Sequence, residues 1–168
     1  MKKMLFAFGL FLTAQTGFSQ DFTPPKLDKK LETQAEFEAL EPEVLKCINW
    51  LNATPLSNDD EKRKQAYAFF MLWLTDTKKV SVIIDGYLLN FAEKNPDLLM
   101  AFMTGWSKLA LENPNQSDKF KLALAGMKNV VNTYKNNMDF FKKDKKLKKL
   151  LEMDTKGELE DWLHQQLK

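Results

Sequence analysis

Apolar side chains recur three and four residues apart through most of the chain after residue 28, and this spacing restricts the fold to packed helices. The helix starts are legible as well. A first helix covers about Asp28 to Leu40, with Leu31, Ala35 and Leu40 inward. Pro42 suits the first turn of a second, which carries Val44, Leu45, Ile48 and Leu51 to about Asn52. Asn58-Asp-Asp-Glu61 has capping-box spacing and opens a helix to about Thr75, with Ala66, Phe69, Phe70 and Trp73 on one face. Asn95-Pro96-Asp97 sets a cap ahead of Leu99, Phe102, Met103, Trp106 and Leu109 or Ala110. A long helix from about Gln116 carries Phe120, Leu124, Met127, Val131 and Tyr134. Asp139 to Met153 reads as a Lys-rich seventh helix, and Thr155-Lys-Gly-Glu158 as a capping box for a last one.

One segment is ambiguous. Val80, Val82 and Ile84 alternate like a strand, whereas Val80, Ile83, Ile84, Tyr87, Leu88 and Phe91 form a helical stripe. No second strand candidate exists to pair with it, so helix is the expectation. The whole predicts an all-α, compact single domain over residues 28–168, with about seven to eight short helices in antiparallel or orthogonal packing. Ala68-Phe69-x-x-x-Trp73 returns as Ala101-Phe102-x-x-x-Trp106, but no third copy follows. Aromatic pairs on packed helices explain that echo more simply than a repeat array, which needs about three units.

The first residues carry an address. Lys2 and Lys3 precede the apolar run Met4 to Leu12, too short to span a bilayer, and Gly17 and Ser19 place small residues at −3 and −1 of a cut. Residues 1–19 therefore read as a secretory signal peptide, and residues 20–27, with a Pro pair, as an extended lead-in. Gln directly after the cut resembles bacterial exported proteins, which would put the chain in the periplasm or the medium. No Cys follows the apolar run, so it is not read as a lipoprotein, and no later segment predicts a transmembrane anchor. Removing residues 1–19 from 168 leaves 149, enough for one core without disulfide or metal.

Cleavage also changes the charge. Of 25 basic residues, Lys2 and Lys3 depart, leaving 23 against 23 acidic. A neutral total argues against nucleic acid as a partner, which demands surplus positive charge. The single cysteine, Cys47, lies among Val44, Ile48 and Leu51 and reads as a buried small hydrophobe with no activating partner beside it.

Signals for catalysis are weak. The only histidine, His164, has Glu160 and Asp161 within a helical turn, but no second ligand motif exists to complete a metal set. Gly105-Trp-Ser107 starts like a nucleophile elbow, yet position 109 is Leu and the triplet falls inside a helix. Asp154-Thr-Lys-Gly157 places Lys156 where a calcium loop needs a ligand. No cofactor is expected, and an enzyme working with carboxylates alone is the third choice.

Two features point to binding. Lys142, Lys143, Lys145, Lys146, Lys148 and Lys149 cluster around Asp144, while Phe140, Leu147, Leu150 and Leu151 share the other side of a helical wheel. This is either an ordinary solvated face, neutralised by acids between 152 and 161, or a surface for an unknown protein partner or an anionic lipid or glycan. Gly86, Gly105 and Gly126 fall inside predicted helices, each at a cost of about 1 kcal/mol against Ala. Close helix crossings would offset that. A cavity for an apolar small molecule beside Met100, Met103, Gly105 and Trp106 is the other account. The leading expectation is an exported protein acting by protein–protein interaction or inhibition in the cell envelope, and the alternative a small carrier of apolar ligands.

Overall fold

Side-chain caps open four of the eight helices found among the described residues of the computed structural model, which describes residues 22–26, 31–57 and 60–167. The expected signal peptide, its cut after Ser19 and Asn58-Asp59 lie outside these. Thr33 and Glu36 form a reciprocal capping box, Thr33 Oγ1 accepting from the Glu36 amide and the Glu36 carboxylate from the Thr33 amide, and open α1 (Gln34–Ala39). Pro42 sits in the first turn of α2 (Glu41–Ala53). Asp60 caps α3 (Glu61–Asp76) by accepting from the Arg63 amide. Asp118 and Asp144 do the same for α6 (Lys119–Asn136) and α7 (Lys145–Thr155). Completing the set are α4 (Gly86–Ala92), α5 (Pro96–Glu112) and α8 (Leu159–Gln166). Eight helices and no strand are thus found among the described residues.

Helix α5 is the centre. Ala101 through Ser107 are all buried, so it is covered on every side, as a helix without a polar face must be. α2, α4 and α6 pack against it, the α5–α6 contact being the most extensive. Gly105 lies over Ala125 and Gly126 while Ala101 meets Asn129, so the two helices run antiparallel. They approach closely because both crossing positions lack a side chain. A Cβ on Gly105 would stand 2.8 Å from the Ala125 carbonyl oxygen, and one on Gly126 2.6 Å from the Phe102 ring. The outer layer follows, with α1 and α3 on α2, and α7 and α8 on α6.

Among the described residues of the lead-in, one is buried. Phe22 is buried, its ring 6.3 Å from both Trp50 and Phe69, a burial worth about 2 kcal/mol. Further along, the Trp73 indole donates to the Phe37 carbonyl at 3.0 Å and fastens α1 to α3.

Several expected boundaries move. Residues 80–85 are not helical. Their β-branched run (Val80, Val82, Ile83, Ile84) loses side-chain freedom in a helix, and Asp85 takes an extended N-cap conformation, so α4 starts at Gly86. A Cβ on Gly86 would meet nothing within 4 Å, so close crossing does not account for that glycine. Ala35, expected inward, is exposed. The Lys-rich helix begins at Lys145 instead of Asp139, and Phe141, not Phe140, turns inward. Thr155 closes α7 instead of opening α8. Gly157 at φ 74° lets the Glu158 amide reach the Met153 carbonyl at 2.8 Å and its own amide reach Asp154 at 3.0 Å, a Schellman turn. Ala68 is exposed where Ala101 is buried, so the two Ala-Phe-x-x-x-Trp segments occupy different surroundings.

Candidate functional site

The basic cluster divides at Asp144. Lys142 and Lys143 precede α7, and Lys145, Lys146, Lys148 and Lys149 lie on its outer side, opposite the buried Leu147 and Leu150. All six are exposed. Lys148 reaches Glu152 at 3.9 Å, and Lys146 reaches only the amide oxygen of Asn90 on α4, at 3.5 Å. Among the described residues no carboxylate comes within 4.0 Å of Lys142, Lys143, Lys145 or Lys149. Local neutralisation by the acids between 152 and 161 is therefore limited to the Lys148–Glu152 pair. These lysines also crowd the positive end of the α7 dipole, where cations weaken a helix.

The turn before them is built rigidly. The Asn137 side chain accepts from the Leu56 amide at 2.7 Å and donates to the Thr133 carbonyl at 2.8 Å. The Phe140 amide then closes the turn on the Asn137 carbonyl at 2.9 Å. Phe141 packs into the core with its ring 5.7 Å from Tyr134, so its neighbour Phe140 is directed outward at 36% exposure. Met138, at 52%, projects from the same turn. Phe140 and Lys142 border an open depression of about 570 Å³ with Lys94, Asn95, Pro96 and Asp97 at the start of α5. The composition of the cluster was readable in the chain, whereas Met138, Phe140 and Lys94 join it only through the fold.

A second polar constellation lies inside. Arg63, the chain's one arginine, is buried, and its guanidinium donates to the carbonyls of Leu51, Thr54 and Pro55 at 2.6 to 3.3 Å. These are orphan acceptors at the end of α2, which Arg63 satisfies. It also approaches Tyr67, whose hydroxyl donates to Asp97 at 2.9 Å. Burial first, and the Asp97 charge second, push the Tyr67 phenol well above its ordinary pKa, so it stays protonated. Nearby, Asn52 accepts from Thr104 and Asn129, and Asn129 also donates to the Ala101 carbonyl at 2.7 Å. The gap between the two groups is about 10 Å³, room for a single water. This network ties α2, α3, α5 and α6 together and serves structure, although Arg63 Nε, 3.9 Å from the Asp60 carboxylate, is buried without a hydrogen bond. Its only signal in the sequence was a lone Arg in a lysine-rich chain.

The four residues considered for an apolar cavity are distributed differently. Met103 and Trp106 are buried in the core. Met100 borders the small polar gap. Gly105 forms the floor of a shallow groove of about 250 Å³ lined by Asn52, Lys108, Asn129 and Asn132. Trp106 Nε1 and Ser107 Oγ are buried without a hydrogen-bond partner.

Remaining candidates are placed simply. Cys47 is wholly buried, its thiol donating to the Ala66 carbonyl at 3.4 Å, and burial pushes its pKa up to about 12. That holds it as an unreactive thiol at neutral pH. His164 is exposed and stacks flat on Phe120 at 3.6 Å. Among the described residues no three His, Cys, Asp or Glu side chains gather as a metal set, and no helix is long and apolar enough to cross a membrane. Compared with known proteins, the chain matches no family model, no curated protein and no solved structure.

Proposed function

We propose that the chain is an exported protein of the cell envelope that acts by binding, with the basic face at the start of α7 presented to an anionic partner. One observation carries this reading: five of the six exposed lysines have no carboxylate within 4.0 Å among the described residues. A face present only for solubility gains nothing from like charges packed at the wrong end of a helix dipole, each costing some tenths of a kcal/mol. Uncompensated charge of that kind raises both encounter rate and affinity with an acidic surface, at a modest cost in stability.

Retention on isolated envelopes of the source organism tests it. Wild-type protein should sediment with the envelopes at physiological salt and be released at high salt, as screening requires. Lys145→Glu with Lys149→Glu should abolish retention without lowering the thermal melt, which should hold or rise slightly because both side chains are exposed and stand toward the positive end of the α7 dipole. Equal retention of the charge-reversed protein would refute the reading.

A further inference from the structure

We infer that the occupant of this basic face is an anionic lipid bilayer, with Phe140 and Met138 entering the interfacial zone and the lysines meeting headgroup phosphates. The inference rests on the reading above and names its partner. Three observations favour a bilayer over an acidic protein.

The first is chemical. Every cation on the face is lysine, and the chain's one arginine is buried elsewhere. Specific protein interfaces are enriched in Arg, whose rigid fork pairs with a carboxylate at two points, and depleted in Lys. A compact ammonium on a flexible stem suits the diffuse, mobile phosphates of a membrane. The second is the pairing of charge with outward apolar groups. Met138 is 52% and Phe140 36% exposed immediately before Lys142, and Leu89, 49% exposed, adjoins Asn90, which meets Lys146. Exposed apolar side chains next to lysines are the composition of an interfacial anchor, where burial in the acyl boundary and attraction to headgroups add. The third is preorganisation. Asn137 and the buried Phe141 hold the turn in place, so exposing Phe140 requires no rearrangement.

Vesicle co-sedimentation tests it with the full chain freed of residues 1–19. Binding is expected to vesicles of phosphatidylcholine mixed with phosphatidylglycerol, and little to phosphatidylcholine alone. Each lysine neutralised should lower partitioning about fivefold, so Lys143→Gln, Lys145→Gln and Lys149→Gln together lower it roughly 100-fold. Phe140→Ser should weaken binding while leaving its salt dependence in place, which a purely electrostatic contact would not show. Circular dichroism confirms that each variant is folded. Equal binding to both vesicle types overturns the inference. No binding to anionic vesicles, combined with charge-dependent retention on envelopes, also overturns it and identifies an acidic protein or glycan as occupant, leaving the broader reading intact. Loss of both signals refutes the two together.

Discussion

Replacing Gly105 with Ala sets two effects against each other in the middle of the molecule. In an isolated helix the change is favourable by about 1 kcal/mol, because glycine forfeits backbone entropy. Here the added Cβ would stand 2.6 Å from Asn129 Cβ, 2.8 Å from the Ala125 carbonyl oxygen and 3.1 Å from Gly126 Cα. Two of these three are main-chain atoms, so no rotamer change relieves them. The helices must part by about 0.8 Å at Asn129 to regain ordinary contact, and overpacking of this kind costs about 1–3 kcal/mol. Parting them also strains the Asn129 amide, which donates at 2.7 Å to Ala101, 3.0 Å to Asn52 and 3.1 Å to Thr104. Losing one such bond costs about 1 kcal/mol net. The balance is a destabilisation of about 2 kcal/mol, or about 4–8 °C in Tm for a chain of this length. Gly86→Ala is the internal control, since its Cβ would meet nothing within 4 Å, and its Tm should hold or rise slightly. Thermal and urea unfolding followed by circular dichroism measure both. A Gly105→Ala protein as stable as the parent would refute the close crossing as the reason for glycine there.

Other substitutions probe the network, the thiol and the turn. Arg63→Met should cost about 3 kcal/mol in urea unfolding, because it strands three carbonyls at the end of α2, and an unchanged midpoint would show that water replaces the guanidinium freely. Cys47 has a folded pKa raised from 9.0 to about 12, so its contribution is complete below pH 9 and is lost as pH rises toward 12. Stability should therefore fall by about 1.2 kcal/mol more between pH 9.5 and 10.5 in the parent than in Cys47→Ala, a comparison in which the similarly raised Tyr67 and Tyr87 cancel. Identical slopes would mean that the thiol ionises without opening the fold. Gly157→Ala, at φ 74° with no steric neighbour, should lose about 1 kcal/mol from left-handed backbone strain alone, and a neutral result would show that the α7–α8 turn relaxes to another conformation.

Much of the core was legible. Val44, Ile48, Phe70, Trp73, Phe102 and Met127 are buried where the three- and four-residue spacing puts them, because that spacing reports the face a helix turns inward. Boundaries set by local competition were less so. Thr33-x-x-Glu36 and Thr155-x-x-Glu158 share one pattern, yet the first forms the reciprocal box and the second does not. At the second, Gly157 takes positive φ and closes the preceding helix, while the Thr155 hydroxyl bonds back to Leu151 at 2.8 Å. The likeness was real, and a neighbouring helix took the residues first. Of the candidate site, the six lysines could be named from the chain, but whether acids covered them could not, since pairing depends on side chains that meet across helices.

The amino-acid sequence alone determined the helical class and the density of lysine between 142 and 149, both properties of neighbours within one or two turns. Tertiary structure alone decided that Phe141 turns in and Phe140 out, that Arg63 closes the end of α2, and that five of the six lysines are left without a carboxylate among the described residues. Each of those outcomes rests on contacts between distant segments, such as Leu56 with Asn137 or Tyr134 with Phe141, where shape and hydrogen-bond satisfaction override local pattern.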